Sequence, residues 1–297
     1  MLHDPTPATD KRAAFSAALA SGELLRFPGA FDPLSAMLIA RHGFEGVYLS
    51  GAAVPAGLGL PHSGLTTLTD IAGQARDIAR VTHLPALVDA GAGAAEPMTI
   101  ARAVPLLEDA GAAGMHIDDQ SRPGRCGHPD CRHVTDRETG VRRVKAAVAA
   151  RRDPGFVIAA RTDAAAVTGL ADAIDRAKAY ADAGADLIYP ETVSTEADLE
   201  RFRAEVDEPL LVNMAEPGLG QLLEGRTLES LGINVVIYPG LLLQLAMAAA
   251  DGGLAEIAAR GTHDRLLGGV PHRRDGYGLL DYLTPNTLDA GLYDLKV

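Results

Sequence analysis

The sequence predicts a (β/α)8 barrel, the TIM-barrel fold, from three observations. Eight short apolar runs recur along the 297 residues. Most are continuous rather than alternating, as in strands buried on both faces of a parallel sheet. Helix-like stretches separate most of these runs, and a glycine follows several of the helices just before the next run. Eight strand and helix repeats over about 250 residues are typical of this barrel.

The eight predicted strands share a run of four to six mostly apolar residues bounded by Gly, Pro or polar residues. Short runs of this kind are typical of buried parallel strands. The strands are predicted at Leu24–Phe27, Gly46–Leu49, Pro85–Val88, Gly114–Ile117, Phe156–Ala160, Asp186–Tyr189, Pro209–Val212 and Ile233–Tyr238.

Helices are predicted where apolar residues recur at helical spacing between these strands. Clear examples are Thr69–Val81, Pro97–Asp109, Arg137–Ala150, Gly169–Ala183 and Glu196–Val206. Glycine just past a helix favours a left-handed cap and a short loop into the next strand. Such glycines are Gly43, Gly111, Gly184 and Gly232.

The chain continues beyond the last strand through two apolar stretches, Leu241–Ala259 and Gly276–Tyr282. We expect residues 1–297 to form a single barrel domain whose C-terminal helical extension, about 241–297, packs on a neighbouring subunit. Packing on its own barrel is the alternative. A homo-oligomer, a dimer or tetramer, is therefore predicted.

The net charge of −12 and the absence of a basic cluster argue against nucleic acid and anionic membranes as partners. A small organic acid remains a suitable substrate because local Arg and His side chains can outweigh the overall charge. The two cysteines, Cys126 and Cys131, are too close together to staple a domain, which favours the cytoplasm. The run from Val235 to Ala250 is interrupted by Pro239-Gly240 and is predicted not to span a bilayer.

Polar side chains follow six consecutive predicted strands, the second to the seventh. In a barrel the carboxyl ends of the strands meet at one mouth, where active sites lie. A doubly wound open sheet would instead gather such residues at one switch point. The residues are Ser50, Asp89, Asp118, Asp119, Arg161, Asp163, Glu191 and Asn213.

The loop after the fourth strand carries Gly124-Arg125-Cys126-Gly127-His128. A thiol between a guanidinium and an imidazole has a stabilised thiolate, which makes Cys126 a candidate for catalysis. The same loop continues to Cys131 and His133, so two thiols and two imidazoles could hold Zn2+. A reversible disulfide between the cysteines, or a polar loop with one reactive thiol, are the other interpretations.

Several longer motifs agree with a known family. They are Tyr48-Leu49-Ser50-Gly51, Gly57-Leu58-Gly59-Leu60-Pro61, Leu87-Val88-Asp89-Ala90, Glu96-Pro97-Met98, Ala110-Gly111-Ala112-Ala113-Gly114, Asp119-Gln120, Arg125-Cys126-Gly127-His128, Ala160-Arg161-Thr162-Asp163-Ala164 and Tyr189-Pro190-Glu191. On these residues the chain resembles the isocitrate lyase and phosphoenolpyruvate mutase superfamily, most closely the 2-methylisocitrate lyases. The resemblance covers nearly the whole chain.

The resemblance implies cleavage of a carbon–carbon bond in a hydroxy-polycarboxylate, with Mg2+ held largely through waters. It implies that Cys126 is the general acid and that Asp89 and Asp118 lie in the metal shell. Guanidinium groups suit the binding of carboxylates. The residues that would bind carboxylates or orient the thiol are Ser50, Gly51, Arg125, His128, Arg161, Glu191 and Asn213.

The chain departs from the family pattern around the metal. Gly91 and His62 stand where acids are expected, and Asp118 stands where the family has the longer glutamate. Mg2+ needs charged oxygen ligands, and a histidine does not suit a hard ion. Mg2+ binding is therefore predicted to be weak or absent, with His62 contacting substrate instead.

Two further departures concern the substrate. Gly124 replaces an expected lysine, and Gln244 replaces an expected arginine. An uncharged Gln244 as a substrate contact predicts a substrate with fewer carboxylates, or a larger and less polar one.

These departures lead to a prediction of a diverged enzyme acting on a small or medium-sized organic acid, in specialised biosynthesis and with little Mg2+ dependence. Its reaction would be a carbon–carbon lyase step or one derived from that scaffold. One alternative is an ordinary 2-methylisocitrate lyase that forms pyruvate and succinate. Another is a non-catalytic protein that binds an acid or a partner.

Overall fold

Eight parallel strands form the centre of the molecule in the computed structural model, which describes residues 4–91, 96–121, 133–193, 195–215, 221–269, 276 and 278–293. Each strand is short and mostly buried, as the apolar runs predict. The strands are β1 (Leu25–Ala30), β2 (Val47–Leu49), β3 (Ala86–Asp89), β4 (Gly114–Asp118), β5 (Val157–Thr162), β6 (Leu187–Pro190), β7 (Leu211–Asn213) and β8 (Val235–Tyr238).

The strands pair in the order β6-β5-β4-β3-β2-β1-β8-β7, with every pair parallel. A parallel bridge between Ile188 and Leu210 joins β6 to β7 and brings the two edges of the sheet together. The Ile188 N–H donates to the Pro209 carbonyl at 2.9 Å in the same place. The predicted (β/α)8 barrel is confirmed.

Several strands extend one or two residues beyond their predicted ends. Asp118 is still paired with Arg161, and Thr162 with Pro190. The apolar pattern predicts that a strand ends at its last hydrophobic residue. The backbone hydrogen bonds between strands continue through the polar residues that follow. The candidate site residues are therefore held by the sheet itself.

The helices lie between the strands and after the last one. Their bounds are α1 (Ala8–Ser21), α2 (Pro33–Arg41), α3 (Ala53–Gly57), α4 (Leu68–Ala79), α5 (Pro97–Asp109), α6 (Arg137–Ala150), α7 (Ala164–Val167), α8 (Leu170–Asp182), α9 (Glu196–Glu205), α10 (Gly225–Ser230), α11 (Leu241–Arg260) and α12 (Leu283–Tyr293). A 3-10 turn, Asp264–Leu266, follows α11. The predicted left-handed conformation is observed at Gly43, Gly111, Gly184 and Gly232, whose φ angles lie between +70° and +98°.

Apolar side chains fill two layers, one inside the barrel and one between the sheet and the helices. Helix α1 contributes Phe15 and Leu19 to the inner layer, where the Phe15 ring lies 5.1 Å from that of Phe27. Lys11 on the same helix donates to the Ala79 and Thr82 carbonyls, at the end of the barrel opposite the mouth. Helix α1 therefore packs on the amino-terminal end of the barrel, where the sequence analysis named no helix.

None of the residues of helix α11 is buried, whereas each of the helices α1–α10 has at least one buried residue. By length and composition alone it could cross a membrane, with 20 residues, a mean hydropathy of 1.4 and no burial of its apolar window. It begins after Pro239-Gly240, the interruption within the run judged too short to span a bilayer. Asp251 and Glu256 lie within this helix, and carboxylates in the apolar centre of a bilayer are costly.

Candidate active site

Six candidate side chains lie at the carboxyl ends of successive strands and so share one end of the barrel. They are Ser50 just after β2, Asp89 at the end of β3, Asp118 at the end of β4, Arg161 within β5, Glu191 just after β6 and Asn213 at the end of β7. This arrangement follows from the parallel register of the strands.

Asp89 is held by the backbone on both of its carboxylate oxygens. The Gly51 N–H donates to Oδ2 at 3.2 Å, and the Gly91 N–H donates to Oδ1 at 3.0 Å. Burial raises the pKa of Asp89, but His116, Arg161 and the Gly91 amide together hold it below its ordinary value. Asp89 is therefore an anion at neutral pH.

Asp118 lies beside Asp89 and has the opposite tendency. Its Oδ1 accepts the Gln120 N–H at 3.1 Å. Burial raises the pKa of Asp118 to about 7, and the charges of Asp163 and Asp89 add to the rise while Arg161 opposes it. A neighbouring cation would remove this penalty.

Arg161 is fixed by a two-pronged ion pair with Asp163. Its Nε and Nη2 atoms each lie 2.9 Å from an Asp163 oxygen, and Asp163 is fully buried. Nη2 is also 3.7 Å from Glu191 Oε1, and the guanidinium lies 5.2 Å from the centre of the Tyr189 ring. Burial opposes the charge, but Asp163 and Glu191 hold the pKa of Arg161 well above its ordinary value. A permanent, oriented cation of this kind suits a substrate carboxylate.

A buried acid, Asp119, supports this pair from behind. Its Oδ1 accepts the Asp163 N–H at 2.9 Å, which anchors the residue that orients Arg161. Its Oδ2 accepts the Thr162 hydroxyl, the Tyr180 hydroxyl and Arg176 Nη1, at 2.8, 2.9 and 3.2 Å. Asp119 therefore acts through Asp163 and has no direct role at the mouth.

His116 and Tyr48 form a polar pair below the mouth. Neither residue was predicted as part of the site. The Tyr48 hydroxyl is 2.8 Å from His116 Nε2, which is itself 3.6 Å from Asp89 Oδ1. Burial lowers the pKa of His116, so the ring is neutral at pH 7. The sequence feature that could have identified this pair is a histidine inside the otherwise apolar first four residues of β4.

The other residues predicted to contact the substrate differ in how deeply they are buried. Ser50 is buried, and its Oγ accepts the Ala52 N–H at 3.2 Å. Asn213 Oδ1 is buried without a hydrogen-bond partner in the part of the chain that the structure describes. His62 is partly buried and close enough to Asp89 for its charge to lower that pKa. Gln244 lies on the exposed first turn of α11.

Arg125, Cys126, His128 and Cys131 lie outside the described residues, so their placement remains a prediction. The two ends of their loop meet at the mouth. The Ser121 N–H donates to the His133 carbonyl at 2.8 Å, and the Thr135 N–H donates to the Asp119 carbonyl at 2.8 Å. The segment that carries the cysteines therefore leaves from and returns to the end of β4.

No group of three or more His, Cys, Asp or Glu side chains could hold a metal ion within the described ranges. Two carboxylates do converge, since Asp118 Oδ2 and Asp89 Oδ1 both face the point where a Cβ on Gly91 would lie. Mg2+ is commonly bound by one or two carboxylates, with water and substrate oxygens completing its shell. These hard oxygen donors fit Mg2+. The expectation of weak or absent binding, drawn from the missing acids, is not supported.

Comparison with known proteins identifies a family and several relatives. The family model described as phosphoenolpyruvate phosphomutase matches residues 15–258. A protein of Corynebacterium glutamicum named probable 2-methylisocitrate lyase 2 is 53% identical over 285 residues, covering 96% of this chain and 93% of the relative. The 2-methylisocitrate lyase of Salmonella typhimurium is 40% identical over 271 residues, covering 91% and 92%.

A solved structure extends the comparison to a metal complex. Phosphonopyruvate hydrolase in complex with oxalate and Mg2+ has a TM-score of 0.83 and 26% identity, and covers 94% of this chain and 98% of that one. A relative of the same fold thus binds Mg2+, and the two converging carboxylates make a similar site possible here.

The prediction that the chain is an enzyme, of the carbon–carbon lyase type, is confirmed by relatives named as lyases. The more specific prediction of a diverged enzyme in specialised biosynthesis is wrong. Identity of 53% over nearly the full length favours the alternative, an ordinary 2-methylisocitrate lyase. That prediction gave too much weight to positions 62 and 91, although two carboxylates can suffice for Mg2+.

Proposed function

Because this chain belongs to the phosphoenolpyruvate phosphomutase family, we propose that it is a 2-methylisocitrate lyase, which cleaves 2-methylisocitrate into pyruvate and succinate. The observation that carries the proposal is the 53% identity to a probable 2-methylisocitrate lyase over 96% of the chain. The mouth is also suited to an acid with several carboxylates, because Arg161 presents a fixed positive charge there.

Substrate binding is assigned to polar groups around the mouth. Arg161, held by Asp163, binds one carboxylate. Asn213 Oδ1, which has no hydrogen-bond partner among the described residues, accepts a hydrogen bond from a substrate hydroxyl. Glu191 lies close to Arg161 and limits the movement of the guanidinium. Ser50 and Gly51 remain proposed contacts on the resemblance, and His62 and Gln244 remain proposed contacts at positions where the chain departs from the family pattern.

The reaction requires two proton movements. A base at the mouth removes the proton of the substrate hydroxyl, the carbon–carbon bond breaks, and its electron pair stays on the carbon that becomes part of succinate. Cys126, in the run Arg125-Cys126-Gly127-His128, gives its thiol proton to that carbon. The hydroxyl carbon becomes the keto carbon of pyruvate, so no other reactant is needed.

Asp89 and Asp118 are the residues that would hold Mg2+. When bound, the ion would stabilise the negative charge that develops on the substrate's hydroxyl oxygen as it loses its proton. Asp89 is already ionised without the metal, since His116, Arg161 and the Gly91 N–H together hold its pKa below the ordinary value despite burial.

The assembly and location of the enzyme are proposed on broader grounds. The exposed apolar side chains of α11 fit a second copy of the chain better than water, so we propose a homo-oligomer. The whole chain, residues 1–297, is proposed to act as one barrel domain with its C-terminal extension. The absence of a disulfide framework favours the cytoplasm.

An assay with 2-methylisocitrate and Mg2+ tests the proposal. The wild-type enzyme is expected to form pyruvate and succinate in equal amounts, and EDTA should abolish the activity. Replacing the proton donor in Cys126→Ser should lower kcat by about 100-fold or more, because serine is a far weaker acid. The measurement is pyruvate formation, coupled to an NADH-dependent dehydrogenase.

Cys131→Ser is the matched control, because it removes the other thiol of the same loop and should keep kcat within about twofold. Absence of pyruvate with correctly folded wild-type enzyme would rule out the proposed reaction. If kcat fell equally in Cys126→Ser and Cys131→Ser, Cys126 would not be the proton donor.

A further inference from the structure

We infer that Gly91 is a positioning residue that brings the Asp118 carboxylate beside Asp89 because it has no side chain. A Cβ built on Gly91 would overlap Asp118 Oδ2 at a separation that real Cβ atoms do not show, and would lie 3.2 Å from Asp89 Oδ1. The Asp118 oxygen therefore occupies the space that any other residue at 91 would fill.

Asp118 has little freedom to yield to such a side chain. Its Oδ1 accepts the Gln120 N–H at 3.1 Å, and its carbonyl accepts Arg143 Nη1 at 2.9 Å. The residue is also paired with Arg161 in the sheet. A methyl group at 91 would have to turn the Asp118 carboxylate away from Asp89.

Gly91 has a second link to the same pair, because its own N–H donates to Asp89 Oδ1 at 3.0 Å. One residue thus fixes one acid through its backbone and makes room for the other. The consequence rests on the proposed function, in which these two acids hold the divalent cation. Residue 91 then sets cation affinity without contributing a ligand of its own.

A double-mutant cycle on Mn2+ binding, with substrate absent, tests this inference. The dissociation constant is measured by electron paramagnetic resonance for the wild type, Gly91→Ala, Asp118→Ala and the double variant. Gly91→Ala is expected to weaken binding by about tenfold, the scale of effects from residues that support metal ligands. The double variant should bind no more weakly than Asp118→Ala, because the methyl group then has no carboxylate to displace.

The melting temperature of the metal-free variants gives an independent readout. Gly91→Ala should lower it in the wild-type background and leave it unchanged in the Asp118→Ala background. The control is Gly57→Ala, because a Cβ on Gly57 would meet nothing within 4 Å. That variant should keep the wild-type Mn2+ affinity.

Wild-type affinity in Gly91→Ala, or additive losses in the double variant, would overturn the role of Gly91 while the lyase activity stands. No Mn2+ binding by the wild type would overturn both this role and the cation site. A protein that binds Mn2+ as described but does not cleave 2-methylisocitrate would contradict only the proposed reaction.

Discussion

Two neighbouring carboxylates at the mouth have pKa values shifted in opposite directions, although both residues are partly buried. Asp89 receives two backbone N–H groups and stays ionised. Asp118 accepts only one backbone N–H in the described part of the chain. Burial, together with the charges of Asp163 and Asp89, raises the pKa of Asp118 to about 7. The number of hydrogen bonds to the charged form and the nearby charges together account for the difference.

This difference predicts how metal-free stability depends on pH. The folded protein keeps a proton on Asp118 that the unfolded chain, with a pKa of about 3.9, has already released. Raising the pH from 4 to 7 removes this advantage, so the contribution of Asp118 to stability falls through that window and levels off above it. An asparagine side chain at position 118 cannot ionise, so the free energy of unfolding of Asp118→Asn should not fall in this way. Relative to the wild type, that free energy should increase by about 2 kcal/mol when the pH is raised from 5 to 8. Urea unfolding with EDTA present measures the gain.

Asp153→Asn is the control for this experiment. Burial opposes the charge of Asp153, but the bond from Arg12 and the Gly155 amide hold its pKa below the ordinary value. That variant should therefore lose stability at pH 8 instead of gaining it. A constant difference between Asp118→Asn and the wild type across the two pH values would contradict the prediction.

Individual elements meet at Asp119, which joins β4, β5 and α8 behind the mouth. Tyr180 reaches it from α8, and Gly140 on α6 allows this, since a Cβ there would collide with the tyrosine hydroxyl. Asp119 in turn holds the backbone of Asp163, which orients Arg161. The position of a helix outside the barrel is thereby transmitted to a guanidinium inside it.

Tyr180→Phe removes one of these hydrogen bonds without creating a cavity. We expect a loss of about 1 kcal/mol in the free energy of unfolding, the usual value for one such bond. If α8 helps to position Arg161, KM for 2-methylisocitrate should also rise by about twofold to tenfold while Mn2+ affinity is unchanged. Steady-state kinetics and metal titration together measure this.

The matched control lies at the other end of β5. Asp186 accepts Arg151 at 2.6 Å and the Ile158 N–H at 2.8 Å, far from the mouth. Asp186→Ala removes this acceptor from Arg151 and from the Ile158 N–H, so it should lower stability and leave KM unchanged. An equal rise in KM for both variants would mean that stability alone controls binding.

At the scale of the whole molecule, helix α11 presents an apolar surface that its own barrel does not cover. Helix α11 exposes about half or more of Leu245, Met247, Leu254 and Ile257. Exposed apolar surface of this extent usually marks an interface, and the acids within α11 disfavour a lipid environment. The helix is therefore expected to pack against a second copy of the chain.

Charge placed on this helix should separate the copies. The double substitution of Leu245→Lys with Leu254→Lys is expected to convert the wild-type oligomer into monomers, because two buried ammonium groups would oppose association. Light scattering coupled to size-exclusion chromatography gives the mass. Met98→Lys, at an even more exposed apolar site on α5, should leave the assembly intact. A wild type that is already monomeric at micromolar concentration would refute the prediction.

The sequence by itself determined the barrel, because buried parallel strands are continuous apolar runs and glycine marks several of the helix ends. It also located Asp89, Asp118, Arg161, Glu191 and Asn213 at strand ends, since the parallel register brings those ends together. Helix α1 was not predicted, and it contains Lys11 and Arg12, residues of types that are mostly exposed in proteins. In the fold they are buried and donate to backbone carbonyls.

Only the tertiary structure decided what these residues do for one another. Gly91 reads as a lost acid in the sequence, yet in space it makes room for Asp118 beside Asp89. Asp119 reads as a mouth residue, yet it supports Asp163 from behind. Periodicity and spacing report which face of an element is buried. Hydrogen bonds, carboxylate distances and pKa shifts depend on groups that are far apart in the chain and meet only when the barrel closes.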